Sequence, residues 1–158
     1  IILRIYTTYP IRLEAADLIY IDSFAKYTKM KKGILTQNYI VAGKKKILFS
    51  FSDYKTADRY GTAEIVVKDK MLKRLLHEKV LLTTPDTSLF GITRKALSKR
   101  ITDFFDRNEI PGVSPTLLAK IIETNAFHSM PEDMRNKMKN MAEFRKHSLD
   151  TQMKFYVH

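Results

Sequence analysis

At Lys68 the hydrophobic period of this chain changes from two to that of a helix, and the switch limits the folds open to it. Before it, in 46-KILFSF-51, Ile47, Phe49 and Phe51 alternate with Leu48 and Ser50, the pattern of a sheet with one buried face. An apolar run, 38-NYIVA-42, leads into this strand through Gly43 and a lysine cluster. Another, 63-AEIVV-67, follows it across the polar stretch 52-SDYKTADRYGT-62. Two apolar runs flanking a polar, glycine-containing connection predict a β-hairpin with an extended tip. Further upstream, 12-RLEAADLI-19 has helical composition after the breaker 9-YPI-11, and 18-LIYI-21 turns it into a short strand.

Beyond Lys68 the signals are helical. In 69-DKMLKRLLHEKV-80, Met71, Leu72, Leu75 and Leu76 form one stripe, with Asp69 as N-cap. The stretch 83-TTPDTSLFG-91 reads as loop. Thr93 caps an amphipathic helix, 93-TRKALSKRITDFF-105, whose apolar side carries Ala96, Leu97, Ile101, Phe104 and Phe105. In 114-SPTLLAKIIET-124, Ser114 caps and Pro115 takes the first helical position, where its missing N–H costs nothing. Pro131 opens a fourth helix in the same way, with Met134, Met138 and Met141, and Ser148 caps a last short one over 148-SLDTQMKFY-156. The expected fold class is α+β, mainly α: a helical domain with a small antiparallel three-stranded sheet near its start. At 158 residues it forms one domain, with no repeat, low-complexity tract or linker.

Charge narrows the function. Twenty-eight Lys and Arg against seventeen Asp and Glu give a net +11, an excess that favours polyanions, nucleic acid before an acidic membrane surface. The cations lie in 26-KYTKMKK-32, 44-KKK-46, 94-RKALSKR-100 and 135-RNKMK-139; any one run is a solvated face, but four in one domain point to nucleic acid. The absence of cysteine fits an intracellular protein and excludes disulfides and zinc–thiolate sites. No apolar run approaches a membrane span of ~18 residues. The four histidines lack metal-ligand spacing, no two glycines lie close enough for a phosphate loop, and no serine nucleophile elbow is present. The expected cofactor and metal requirement is therefore none.

Taken singly, Arg12, Lys55, His147 and Tyr156 read as a surface arginine, a solubilising charge, a residue before a cap and a core aromatic. Their order changes that. An arginine after a turn (8-TYPIRLEAADLIYID-22), a lysine on a hairpin (53-DYKTADRYGTAEIVV-67), a Ser-Pro helix (114-SPTLLAKIIET-124) and a closing His-Ser…Thr…Tyr (141-MAEFRKHSLDTQMKFYVH-158) follow one another. This sequence resembles the catalytic domain of tyrosine recombinases, the phage-integrase family, over its whole length, and more its relatives in eukaryotic viruses and mobile elements than bacterial ones. The last box is the most specific match.

The resemblance implies the DNA breaking-rejoining fold, residues 1–158 as catalytic domain without the family's N-terminal DNA-clamping domain, and double-stranded DNA as partner to a tetramer. It implies Tyr156 as nucleophile, Arg12 as phosphate clamp, Lys55 as general acid and His147 as phosphate ligand. It departs in one place. The second box reads His-x-x-Arg, and here Thr116 takes the histidine's place and Ala119 the arginine's, with Lys120 where a His or Lys follows. Replacement of an arginine to stop the reaction is favoured over a natural loss, and either weakens cleavage. DNA contacts are expected from Lys120, Lys44, Lys45, Lys46, Arg94, Lys99 and Arg100. The competing readings are a catalytically dead recombinase-derived DNA-binding module, a type IB topoisomerase, whose usual Ser-Lys-x-x-Tyr box FRKHSLDTQMKFY does not follow, and a basic helical domain with accidental matches.

Overall fold

The computed structural model describes residues 1–9, 11, 13–54, 57–129, 131 and 132. Its element order is α1 (Ile2–Thr8), a 3-10 helix (Leu13–Asp17), β1 (Ile19–Ile21), α2 (Phe24–Met30), β2 (Tyr39–Ala42), β3 (Ile47–Phe51), α3 (Ala57–Tyr60), β4 (Ala63–Val66), α4 (Lys70–Leu81), α5 (Arg94–Arg107) and α6 (Pro115–His128). The α+β class holds.

The sheet departs from expectation. It has four strands in the order β1-β2-β3-β4, not three, and it is mixed. β1 runs parallel to β2, with Ile19 opposite Tyr39, while β2–β3 and β3–β4 are antiparallel. A parallel neighbour needs a crossover rather than a tight turn, and here the segment carrying α2 supplies it. The predicted hairpin is present as β3–β4, with Phe51 opposite Ala63. The loop after α4 covers the free edge of β1, where Leu89 N–H donates to the Leu18 carbonyl at 2.7 Å and Tyr20 N–H to that of Thr87 at 2.9 Å. Covering an edge in this way leaves fewer unpaired groups for another strand to engage.

Period two in β3 is real, but neither of its faces meets water. Ile47, Phe49 and Phe51 enter the main core with Ile40, Leu72, Leu76, Leu97 and Ile101. Leu48 enters a second cluster with Ile21, Tyr27, Tyr39 and Val41, against which Phe24, Met30 and Leu35 pack. All five β3 residues are consequently buried, because α2 closes the face assigned to solvent. Ser50 satisfies its hydroxyl with Tyr27 at 2.7 Å. Gly43 lets the β2–β3 turn approach α2 closely, since a Cβ there would lie 3.1 Å from the Phe24 ring.

The helix caps fall where the side chains predicted them. Asp69 accepts from Leu72 N–H at 2.6 Å, Thr93 from Ala96 N–H at 3.1 Å, and Ser114 from Leu117 N–H at 3.2 Å. On α4 the buried side is Leu72, Leu76 and Val80; Met71 is half exposed, so the stripe is rotated from the predicted one. Phe104 of α5 is also exposed, while Leu97 and Ile101 are buried. The helical stretch from position 12 reduces to the 3-10 helix before β1. No element was expected over residues 2–8, yet α1 buries Ile5 and Tyr6 completely and packs on α6. The body of the helix expected after Pro131 and the one over 148–156 lie outside the described residues.

Candidate nucleic-acid-processing site

Four of the residues singled out for chemistry, Arg12, Lys55, His147 and Tyr156, lie outside the described residues. What the structure describes is the framework around two of them. Position 12 falls between Ile11, which is buried, and the 3-10 helix, whose Ala15 and Ala16 are buried. Position 55 falls in the β3–β4 connection, which is tightly bonded on both sides. Asn38, 1% exposed at the head of β2, receives Ser52 N–H at 3.0 Å and Asp53 N–H at 2.9 Å on its Oδ1, and its Nδ2 donates to the Asp53 carbonyl at 3.0 Å. The Tyr54 hydroxyl donates to the Gly61 carbonyl at 2.7 Å, and the Ser52 and Thr62 hydroxyls bond at 2.9 Å. Gly61 closes the tip at φ +72°, a conformation in which a Cβ would be strained.

One side chain joins these two frameworks. At the start of α5, Arg94 donates from Nε to the Asp17 carboxylate, at the end of the 3-10 helix, and from Nη2 to the Asp53 carboxylate, on the hairpin. It thus holds an element that begins one residue after position 12 to Asp53, which lies two residues before position 55 in the β3–β4 connection. The bond to Asp17 is the main cause of a rise in the Arg94 pKa, so the guanidinium stays charged. Sequence reasoning placed Arg94 among DNA contacts; the fold engages it between two carboxylates, which neutralise it locally. Its partners are 77 and 41 residues away, so no local pattern announces the bridge.

Ala119 is 4% exposed, on the side of α6 that buries Leu118, Glu123 and Phe127, and α6 packs against α1 and α5. α5 in turn packs on the 3-10 helix. The helix carrying position 119 and the element following position 12 are thereby connected through α5. Lys120, one residue on, is exposed, as are Lys44, Lys45, Lys46, Lys99 and Arg100. The three-lysine turn lies at the opposite end of β3 from the hairpin tip. A strand of this length, five residues, spans roughly 17 Å. Lys73 Nζ donates to the Lys45 carbonyl at 3.2 Å, and Lys46 Nζ lies 5.4 Å above the Phe24 ring, so this cationic turn is held against α2 and α4.

Several described tyrosines are held away from the phenolate form. Burial raises the Tyr6 phenol far above its ordinary value, with Glu14 and Asp17 adding to the rise, and burial also raises Tyr20 and Tyr39. Tyr27 is pushed up to about 12, by burial first and then by its bond to Glu64. None of these phenols is prepared as a nucleophile at neutral pH. Among the described residues, no group of three or more His, Asp or Glu could hold a metal ion, and no helix is long and apolar enough to cross a membrane.

No family model, no curated protein and no solved structure matches this chain.

Proposed function

We propose that the chain is the catalytic domain of a tyrosine recombinase, which cuts and rejoins double-stranded DNA through a covalent bond between its tyrosine and a 3′ phosphate. The observation that carries the reading is the Arg94 bridge, which ties the element after position 12 to the hairpin before position 55. Those positions carry Arg12 and Lys55, the cations to which this reading gives phosphate clamping and protonation of the leaving oxygen.

The Tyr156 oxygen attacks the scissile phosphorus, forms the phosphotyrosyl bond and breaks the bond to the 5′ oxygen. The pentacoordinate state gathers negative charge on its non-bridging oxygens, and a planar guanidinium at Arg12 clamps two of them at once. Surrounding cations favour the Tyr156 phenolate over the phenol, whose ordinary pKa is ~10. Lys55 protonates the departing 5′ oxygen, and His147 hydrogen-bonds the phosphate. The covalent bond keeps the energy of the broken phosphodiester, so rejoining is the same step reversed, and neither metal nor nucleotide takes part. The exposed Lys44–Lys46 turn contacts backbone phosphates. Lys99, Arg100 and Lys120 add sequence-independent attraction, and rejoining two duplexes takes a tetramer on DNA.

Position 119 weakens the site by one charged donor, a loss of ~10²–10³ in rate. Ala119→Arg should raise covalent adduct on a nicked suicide duplex by at least roughly tenfold. Adduct from neither version would overturn the enzyme reading and leave a DNA-binding module derived from a recombinase. The burial of Ala119 favours that second reading, because the helix packs an alanine there as part of its interior. Unfolding temperatures of both versions, measured alongside, separate a damaged fold from a site that lacks activity.

A further inference from the structure

The Arg94 bridge joins three elements, and its position suggests a task that stability does not explain. Its ion pairs are partly exposed, with side-chain exposures of 42% and 34% for Arg94–Asp17 and 42% and 58% for Arg94–Asp53. Pairs this open to water and salt add little to stability. They do constrain geometry, since one planar guanidinium offers its donors in fixed directions to two carboxylates. Asp53 is also gripped from the other side, through its backbone, by the buried Asn38. The hairpin root is therefore pinned between β2 and α5, and the 3-10 helix is pinned to the same point.

Resting on the function proposed above, we infer that Arg94 is a positioning residue: it fixes the 3-10 helix, through Asp17, against the root of the β3–β4 hairpin, through Asp53, and this fixed separation aligns proton delivery to the leaving 5′ oxygen. It touches neither phosphate nor base itself. Were it a DNA contact, its removal would weaken binding and lower the salt slope by about one unit. As a positioning residue, its removal leaves affinity nearly intact and slows the step in which the leaving group departs.

The chemistry offers a direct discrimination. When the 5′ bridging oxygen of the scissile phosphate is replaced by sulfur, the bond to phosphorus breaks to release a thiolate, which needs no proton. Arg94→Met, in the chain as it stands and in the Ala119→Arg version, should reduce adduct on the oxygen substrate by roughly 10–100-fold, the cost of a misplaced general acid. On the sulfur substrate the loss should shrink to less than about threefold, since general acid catalysis is no longer called on. Asp53→Asn, which breaks only the hairpin contact, should reproduce the oxygen–sulfur contrast, and Arg94→Lys, able to hold one carboxylate, should recover part of the rate. Equal losses on the two substrates, or no loss on either, would overturn the assignment.

A second readout is independent of cleavage. Arg94→Met should speed amide exchange at residues 13–17 and 52–54 together while leaving α4 and α6 protected, and unchanged exchange in both segments would overturn the coupling. Absence of adduct from both parent versions on both substrates would instead overturn the proposed function, and with it the chemical task of Arg94. The exchange measurement still decides the clamp in that case.

Discussion

Replacing Asn38 by alanine removes three hydrogen bonds and leaves the root of the β3–β4 hairpin without its internal template. The asparagine is 1% exposed, and its Oδ1 serves two successive backbone N–H groups, of Ser52 and Asp53, while its Nδ2 serves the Asp53 carbonyl. A net hydrogen bond is worth about 0.5–1.5 kcal/mol, so three give roughly 1.5–4.5 kcal/mol. Asp53 is exposed and Ser52 half-buried, so water can reach some of the orphaned groups, and about 2–3 kcal/mol is the expected loss. For a chain of this size that corresponds to roughly 4–12 °C in Tm. Urea unfolding monitored by circular dichroism measures it directly, with an unchanged slope showing that the loss is one of stability. Asn38→Asp separates the contributions: it keeps both acceptor bonds but turns an oxygen toward the Asp53 carbonyl and buries a charge. It should therefore lose at least as much as the alanine variant at neutral pH and recover as the carboxyl is protonated. A loss below about 1 kcal/mol in Asn38→Ala would refute the idea that this side chain, rather than the β3–β4 ladder, organises the hairpin root.

Two further outcomes follow from the polar groups inside the fold. Tyr27→Phe strips the Ser50 hydroxyl and the Glu64 carboxylate of a shared partner and should cost about 1–3 kcal/mol in urea unfolding, because Ser50 is fully buried. Burial pushes the Glu64 carboxyl up, but bonds from Lys31 and Tyr27 and the charges of Lys31 and Lys46 outweigh it and hold the pKa below its ordinary value. Asp69 is likewise held low, by Arg4 first and by Leu72 N–H second. A depressed folded pKa stabilises above the unfolded value and loses that contribution as pH falls through the folded one. Stability should therefore fall on acidification below about pH 4, and Asp69→Asn or Arg4→Met should flatten part of that limb in acid titrations of Tm.

The helix starts show why some of this fold could be read without coordinates. Asp69, Thr93 and Ser114 each cap a helix by accepting an N–H three residues ahead, and Pro115 follows Ser114 at the first helical position. Such contacts span three or four residues, so the signal lies entirely in the local sequence. The β3–β4 hairpin was legible for a similar reason, since a polar connection between two apolar runs brings neighbours in sequence together in space. The α1 helix was not: its ILRIYTT stretch is too short for a period, and its burial depends on α6, more than a hundred residues on. The candidate site divides in the same way. The order of the cationic and aromatic boxes is visible in one dimension, whereas Arg94 lies in a basic run in sequence and between Asp17 and Asp53 only in space.

Written along the chain itself are thus the alternation that makes strands, the caps that start helices and an excess of positive charge. These follow from interactions within a turn or a strand, or from simple counting. A parallel fourth strand in the sheet, the burial of its second face under α2 and the union of two distant segments by one guanidinium arise from the assembled fold. Solvent exclusion and ion pairing depend on which surfaces meet, and the residues that meet here are separated by 41 to 77 positions in the Arg94 bridge alone. A local pattern carries no record of such partners.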